Sequence, residues 1–204
     1  MTGSWRASRA AFADAAQWFV QVAGLVDGRW DAAGLGEWDV RALVGHTSRS
    51  LLTVEAYLAD PATAVDVPSA PDYYRATRAI AAGPGVARRG RDAGAALGDD
   101  PAGAVRQIAA RVVPLVHGSD PDALLTTIAG GMRLADYLPT RTFELVVHTA
   151  DLAAALGVDA DVPPSSARQA LGLVADLAVA DGTSVPLLLA ATGRTGLPGG
   201  FSVL

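Results

Sequence analysis

Residues 135–157 read ADYLPTRTFELVVHTADLAAALG. This stretch predicts one long helix, from about Ala135 to Leu156, that ends at Gly157. On a helical wheel its polar side chains fall on one line, because successive members are four or three residues apart. Apolar residues flank this line on both sides, so burial of the flanks carries the polar line into the protein, where each polar group needs a partner. The line consists of Tyr137, Arg141, Glu144, His148 and Asp151.

The same periodicity recurs along the chain and predicts an all-α helical bundle. A break at Gly83-Pro84-Gly85 interrupts the third helical stretch, and Gly130-Gly131 indicates the turn of a small β-hairpin before the long helix. We treat residues 1–204 as one domain, with the bundle over 1–182 and an apolar tail over 183–204 that packs on it. The predicted helices span about 4–26, 39–58, 73–97, 102–116, 135–156 and 164–180.

The composition excludes several kinds of chemistry. The 204 residues include no cysteine, which excludes disulfides, zinc–thiolate sites and a cysteine nucleophile. All 16 basic residues are arginine, so no lysine is available for a Schiff base or a phosphate-binding loop. The formal net charge of -5 gives no basic field for nucleic acid or anionic lipid, and no apolar run is long enough to span a membrane. Since the N-terminus also lacks a signal-peptide pattern, we expect a cytoplasmic protein without nucleic-acid or membrane partners.

A second polar line is predicted on the helix that begins near Asp39, a residue suited to cap its N-terminus. His46, Ser50, Thr53 and Tyr57 share this line, which runs beside an apolar stripe. His46 therefore lies at the edge of the buried face, from which it can reach a cavity between helices.

Three of these residues suggest a metal site. Glu144 and His148 are four residues apart on one helix, so their side chains converge, and His46 can join them from a facing helix. Two imidazoles and a carboxylate suit zinc with an open position for water or substrate, and also Fe(II), Mn(II) or Ni(II). Asp151 can accept the second ring N–H of His148 and thereby fix its tautomer. The alternative is a purely structural network, in which Arg141 pairs with Glu144 and the histidine pairs with its aspartate.

Three separated blocks of the sequence resemble one known family. Residues 38–46, WDVRALVGH, are similar to the W-x-V-R-x-L-V-x-H signature of the maleylpyruvate isomerase N-terminal domain, within the DinB-like superfamily of four-helix proteins. Residues 131–138, GMRLADYL, and 141–152, RTFELVVHTADL, resemble the second block of that family. The ending, LLLAATGR at 187–194 and FSVL at 201–204, resembles that of actinobacterial members. The similarity spans essentially the whole chain.

The resemblance implies a DinB-like up-down four-helix bundle and a divalent metal, usually zinc, held by His46, Glu144 and His148. Family members of known activity use the metal to lower the pKa of a low-molecular-weight thiol, mycothiol in actinobacteria, whose thiolate then adds to an electrophile. The outcome is cis–trans isomerisation or transfer of the thiol. About two dozen residues follow Ala180, too few for the C-terminal domain that the isomerase carries, so we do not expect maleylpyruvate isomerisation itself.

We therefore expect a metal-dependent thiol S-transferase or isomerase that acts on a small electrophilic substrate, as a monomer or homodimer. One alternative is a noncatalytic metal- or ligand-binding bundle, in which the metal stabilises the fold; another is an iron enzyme on the same ligands. Arg141 is the natural partner of an anionic substrate, because a guanidinium forms paired hydrogen bonds with a carboxylate. Tyr137 and Asp151 are further candidates for roles in catalysis, and Ser50 and Tyr57 are candidate contacts of the thiol.

Overall fold

The protein is described by a computed structural model, which covers residues 2–81, 83 and 85–204. Within these residues the predicted all-α class and the small hairpin are both confirmed, and helix boundaries differ from the sequence-based ones by a few residues. In chain order the elements are α1 (Thr2–Ala23), α2 (Val40–Leu58), α3 (Ala70–Ala81), α4 (Gly85–Ala95), α5 (Pro101–Gly118), β1 (Leu124–Thr127), β2 (Gly130–Arg133), α6 (Leu134–Leu156), α7 (Pro164–Ala180) and α8 (Ser184–Ala191).

Four long helices form the centre of the bundle. α6 packs against both α1 and α2, and α5 packs against the same two helices. α7 covers α1 and α6, α4 lies along α2, and α3 contacts α6 and α7. This is the four-helix arrangement that the family resemblance implies, and burial of its apolar faces supplies the main driving force for folding. The largest fully buried apolar side chains include Phe12, Phe19, Leu43, Leu51, Leu138 and Leu145.

Local signals set the ends of the two helices that carry the polar lines. The Asp39 carboxylate accepts a hydrogen bond from the backbone N–H of Ala42 at 2.7 Å, so α2 begins directly after the predicted N-cap. Gly157 ends α6 in the left-handed conformation, with φ 63°, which glycine adopts without steric cost. The antiparallel β1–β2 hairpin leads directly into α6 at its other end. Its turn lies at residues 128–129, so the prediction of a turn at Gly130-Gly131 was wrong: both glycines pair with β1 in strand β2. The extent of both helices, and hence the set of side chains on each polar line, follows from these signals.

Small residues allow α4 to approach α2 closely. A Cβ atom added to Gly45 would lie 2.1 Å from the backbone nitrogen of Gly94, and one added to Gly90 would lie 2.5 Å from the Trp38 indole. The Trp38 indole N–H donates to the carbonyl oxygen of Ala87 at 3.0 Å. Since close-packed interiors have no room for an extra methyl group at such contacts, larger residues would separate the helices. The approach of α4 therefore fixes the position of the Trp38 ring.

Two predicted features lie at the margins of the fold. α3 ends at Ala81 and α4 begins at Gly85, on either side of the predicted break, whose Pro84 lies outside the described residues. In the tail, α8 contacts α7 and buries none of its residues, while Val203 packs against the core. No helix in the described part of the chain has the length and apolar character needed to cross a membrane.

Candidate metal centre

The polar line of α6 faces inward, as its sequence predicts. Tyr137 is fully buried, Arg141 is 9% exposed, and the side chains of Glu144 and His148 are 20% and 16% exposed. The apolar flanks account for this orientation, because they pack against neighbouring helices on both sides of the line. Four ionisable side chains are thereby held in a region of low solvent access.

His46, Glu144 and His148 lie together where α2 packs against α6. One ring nitrogen or carboxylate oxygen from each residue lies within 4.8 Å of the other two. Nε2 of His148 is 3.2 Å from Oε2 of Glu144, and the two imidazole rings meet edge to face with 4.8 Å between their centroids. We call these three residues the His–Glu–His cluster. Its members come from two helices that are far apart in the sequence.

Two members of the cluster form hydrogen bonds with residues outside it. Nδ1 of His148 lies 3.1 Å from Oδ2 of Asp151, which leaves Nε2 directed at Glu144. Oε1 of Glu144 accepts a hydrogen bond from the Tyr74 hydroxyl at 2.8 Å. Contacts of this kind orient the donor atoms of a site before any ligand binds.

His46 differs from the other two members because one of its nitrogens has no partner. Its Nδ1 is buried and forms no hydrogen bond within the described part of the chain. The ring packs against Trp38, with 4.5 Å between the ring centroids, which restricts its orientation. A buried polar atom without a partner costs on the order of 1–3 kcal/mol, so a ligand that supplied the missing contact would be stabilising.

Burial and neighbouring charges shift the pKa values of all three groups. Burial, together with the nearby His148, lowers the pKa of His46 to about 4. Burial disfavours the charge on Glu144, but the hydrogen bond to His148 and the charge of Arg141 outweigh it and lower this pKa to about 2. Burial also opposes protonation of His148, yet hydrogen bonds to Asp151 and Glu144 raise its pKa to about 9. At neutral pH the metal-free cluster therefore contains a carboxylate, a protonated imidazole and a neutral imidazole.

The donor set of the cluster fits a divalent metal. Two imidazoles and a carboxylate suit zinc and other first-row divalent ions, and they leave coordination positions open for a small molecule. Two further features are typical of such a site: Nδ1 of His46 has no hydrogen-bond partner among the described residues, and the Asp151 carboxylate lies next to Nδ1 of His148. His148 would have to release its proton before Nε2 could act as a ligand. The three residues are therefore the proposed metal ligands.

A cavity of about 760 Å³ opens beside the His–Glu–His cluster, and all three of its members line it. The expected site residues Ser50, Tyr57 and Arg141 line it as well. A volume of this size accommodates one drug-sized molecule or two smaller reactants side by side. The cluster is therefore within reach of small molecules.

The other two expected site residues lie behind the cavity wall. Tyr137 is not among the lining residues, because its ring packs beneath Arg141, with the guanidinium carbon 4.9 Å from the ring centroid. Its hydroxyl donates to Oγ1 of Thr53 at 3.1 Å. Asp151 does not line the cavity either, and it reaches the site through His148. Both residues are placed to position a neighbour rather than to touch a molecule in the cavity.

Arg141 does not form the ion pair that the structural-network alternative requires. Among the described residues it makes no ion pair with Glu144 or with any other carboxylate, and its Nε donates to Oγ1 of Thr140 at 3.0 Å. Its guanidinium carbon lies 5.4 Å from the ring centroid of Tyr73 and 4.9 Å from that of Tyr137. These cation–π contacts recover part of the hydration that burial removes. Within the described part of the chain, the terminal N–H groups of Arg141 donate to no protein acceptor.

Three aromatic residues of the site were missed by sequence reasoning. Tyr74 binds Glu144, and burial beside that carboxylate raises the pKa of its hydroxyl well above the usual value, so it remains a hydrogen-bond donor. Tyr73 packs on Arg141, and Trp38 packs on the ring of His46. The adjacent tyrosines at the start of α3 were a visible signal, but no spacing rule connects them with a residue on α6.

A family model matches most of the chain. Its description is the mycothiol maleylpyruvate isomerase N-terminal domain, and it matches residues 5–153, almost three quarters of the sequence. This span contains α2 and most of α6, the two helices that carry the His–Glu–His cluster. No curated protein and no solved structure matches the chain.

Proposed function

Because the chain belongs to the mycothiol maleylpyruvate isomerase N-terminal domain family, we propose that it is a metal-dependent thiol S-transferase or isomerase. The family is DinB-like, metal-binding and related to mycothiol. The proposed metal is zinc, with nickel, iron and manganese as other ions that the same ligand types suit. The proposed co-substrate is a mycothiol-type thiol, and the second substrate is a small electrophile.

The His–Glu–His cluster beside the open cavity is the observation that carries this proposal. A bound divalent metal lowers the pKa of a coordinated thiol, so that the nucleophilic thiolate is present near neutral pH. The protein has no cysteine, and the sulfur would therefore come from the co-substrate. We place the reaction in the cytoplasm, where low-molecular-weight thiols stay reduced.

The chain's own residues would position the reactants. Asp151 holds His148 so that Nε2 faces the cluster, and Tyr74 holds the carboxylate of Glu144. Ser50 and Tyr57 line the cavity and are the proposed contacts of the thiol co-substrate. Holding both reactants beside one another lowers the entropic part of the barrier.

The proposed reaction requires no oxidant or reductant. The thiol gives its proton to water in the cavity, and its sulfur forms a bond with the electrophilic carbon. In a transfer, the leaving group departs with the electron pair of the bond that breaks. In an isomerisation, sulfur adds to a carbon–carbon double bond and the electron pair moves onto an adjacent carbonyl. The resulting single bond rotates, and the thiolate is expelled as the double bond re-forms.

The test is metal content together with thiol-dependent turnover in the purified 204-residue chain. We expect one metal ion per chain by elemental analysis, and mycothiol-dependent turnover of at least one member of a panel of small electrophiles. In a transfer this turnover is seen as thiol consumption, and in an isomerisation as cis–trans conversion of the substrate without net loss of thiol. His46→Ala should lose both properties. His117→Ala is the matched control, because His117 is exposed at the end of α5 and lies outside the cluster.

A noncatalytic metal- or ligand-binding bundle is the second candidate. The hydrogen bonds that Glu144 and His148 already make inside the protein favour it, because they allow the cluster to serve as a structural element. Such a protein would bind metal and unfold at a higher temperature when loaded, yet it would neither consume thiol with any electrophile nor isomerise one in the presence of thiol. That result would end the enzyme proposal.

A further inference from the structure

Four exposed apolar side chains line the outer part of the cavity. Leu35, Ile80, Ile128 and Leu204 are between 38% and 56% exposed, although large aliphatic side chains are usually buried. They come from the connection before α2, the end of α3, the turn between β1 and β2, and the segment that follows α8. We call these four residues the apolar rim. Since they belong to separate segments, no single amphipathic element explains their grouping, and grouped exposed apolar residues mark binding surfaces.

The same cavity contains a buried positive charge whose nearby carboxylate, that of Glu144, is already bonded to His148 and Tyr74. Arg141 is 9% exposed, lines the cavity and forms no ion pair among the described residues. An isolated buried charge is costly, and the planar guanidinium is shaped to bind a carboxylate through two hydrogen bonds. The terminal N–H groups of Arg141 can therefore bind an anionic group of a molecule in the cavity.

Positive charge dominates the cavity as a whole. Among the side chains that line it in the described part of the chain, Glu144 is the one acidic residue, and it belongs to the His–Glu–His cluster. Arg49 and Arg89 line the cavity without an ion pair in the described residues, whereas Arg78 pairs with Asp181. In a chain with a net charge of -5, this local excess of arginine attracts anions to the opening.

We propose that the electrophilic substrate is a monocarboxylic acid with an extended apolar body, either an aryl or a medium-length alkyl chain. Its carboxylate binds Arg141, and its apolar body lies against the apolar rim. The identification of this ligand as the electrophile rests on the proposed function, whereas the binding site stands on Arg141 and the apolar rim alone. A cavity of about 760 Å³ has room for such an acid beside a thiol co-substrate.

The apolar rim distinguishes this ligand from a short dicarboxylic acid. A second carboxylate at the far end of the molecule would lie among Leu35, Ile80 and Ile128 and would lose part of its hydration there. A methylene chain at the same place gains free energy by leaving water, which corresponds to about a threefold to fourfold gain in affinity per methylene buried.

Calorimetric titration of the metal-free, full-length protein tests the proposal. The probes are straight-chain carboxylates from acetate to octanoate, hexanamide as the uncharged match for hexanoate, and octanedioate as the dicarboxylate match for octanoate. We expect affinity to rise about threefold to fourfold per methylene until the chain reaches the apolar rim. We also expect hexanamide and octanedioate to bind at least about tenfold more weakly than hexanoate and octanoate.

Substitutions test the binding of the carboxylate and of the apolar body separately. Arg141→Met should weaken octanoate binding by about ten- to a hundredfold and abolish the preference for hexanoate over hexanamide. Arg141→Lys keeps the positive charge in the core and should retain part of this preference. Ile128→Ser should reduce the gain per methylene without changing the preference for the carboxylate. Arg111→Met and Leu171→Ser are the matched controls, since both residues are exposed and neither lines the cavity.

Three results would overturn the proposal: equal binding of acid and amide, tighter binding of octanedioate than of octanoate, or equal effects of Ile128→Ser and Leu171→Ser. Because these titrations contain no metal and no thiol, they can succeed while the proposed enzyme function fails. Conversely, metal binding and thiol consumption with no preference for apolar acids would remove this inference alone.

Discussion

The inner and outer parts of the cavity are built in opposite ways. The inner part carries the His–Glu–His cluster on two packed helices, and its side chains are largely buried and bonded to neighbours such as Asp151 and Tyr74. The apolar rim is carried by loop, turn and terminal positions, and its side chains are 38% to 56% exposed. Substitutions in the inner part should therefore affect metal binding and folding together. Substitutions in the apolar rim should affect neither.

The largest effect is expected for Glu144→Gln. Glutamine preserves the shape of the side chain and an oxygen that can accept the Tyr74 hydrogen bond, but it removes the charge and one donor oxygen. We expect metal affinity to fall by more than about a hundredfold, because loss of an outer partner alone costs ten- to a hundredfold. Calorimetric metal titration measures this directly. In thermal unfolding, the wild type should gain about 2.7 kcal/mol when free metal is at a hundred times its dissociation constant, and the variant should not.

Glu37→Gln is the control for that experiment. Glu37 is exposed and lies outside the cluster, so its loss changes the net charge by the same amount without touching a donor atom. If both variants lost affinity equally, a general charge effect would explain the result, and the distinction between the inner part and the rest of the surface would fail.

Asp151→Asn should produce the next largest change. The substitution keeps the size of the side chain but removes the carboxylate that lies 3.1 Å from Nδ1 of His148. We expect metal affinity to fall by about ten- to a hundredfold, the usual result of losing an outer hydrogen-bond partner of a histidine ligand. Asp136→Asn provides the comparison, since Asp136 is also on α6 but makes its ion pair with Arg133 outside the cluster. An Asp151 variant with wild-type affinity would contradict its positioning role.

The sequence made the inner part predictable because helix geometry depends on local spacing. The separation of Glu144 and His148 by four residues requires them to converge, and burial of the apolar flanks requires them to face inward. His46 was placed at the edge of a buried face by the same reasoning. The resemblance to a known family then connected the two helices, which periodicity alone could not do.

The remaining features depend on how distant segments meet. Leu35 and Ile128 lie in a connection and a turn, where no periodicity reveals a common opening. Tyr73 and Tyr74 are adjacent on α3, so the rotation of that helix decides which of them binds Glu144. For Arg141 the sequence supported a pair with Glu144 and an anion site about equally. In the structure the Arg141 side chain packs against Tyr73 and forms no ion pair with Glu144 within the described residues. Residue spacing along α6 cannot predict a contact with a residue on α3.

Metal binding should also depend on pH in a defined direction. The pKa of His148 is raised to about 9 in the folded, metal-free protein, so its proton must leave before the metal binds. We expect about one proton released per metal at pH 7, and affinity that rises up to tenfold per pH unit until about pH 9. His46, with a pKa of about 4, should contribute no proton at neutral pH.

Titrations in two buffers of different ionisation enthalpy count these protons. The free energy of unfolding of the metal-free protein should also depend on pH, and it should fall as the pH rises. Because the folded pKa of His148 lies above the ordinary value of 6.5, its contribution is fully present below pH 6.5 and is lost as the pH rises through about 9. Release of no proton at pH 7, or of two, would contradict this assignment of charges.

A smaller effect is expected for Tyr74→Phe. The substitution removes the hydroxyl that donates to Glu144 at 2.8 Å but leaves the ring packed against Phe143. We expect the free energy of unfolding to fall by about 1–3 kcal/mol and metal affinity to fall several-fold, because the buried carboxylate loses one donor. Tyr57→Phe is the control, since Tyr57 lines the same cavity and its hydroxyl makes no hydrogen bond among the described residues. Equal effects of the two variants would show that the hydrogen bond to Glu144 adds nothing specific to the free energy of unfolding or to the metal affinity.

The smallest effect is expected for Ile128→Ser in the apolar rim. Ile128 is 56% exposed at the turn between β1 and β2, so the folded protein gains little from burying its side chain. The free energy of unfolding should change by no more than about 0.5 kcal/mol, the usual range for a surface substitution. Metal affinity should stay within about twofold of wild type, because no atom of Ile128 supports a donor of the cluster. A large loss of metal affinity in this variant would mean that the hairpin turn and the His–Glu–His cluster are mechanically coupled through the start of α6, and the cavity would then have to be treated as one unit.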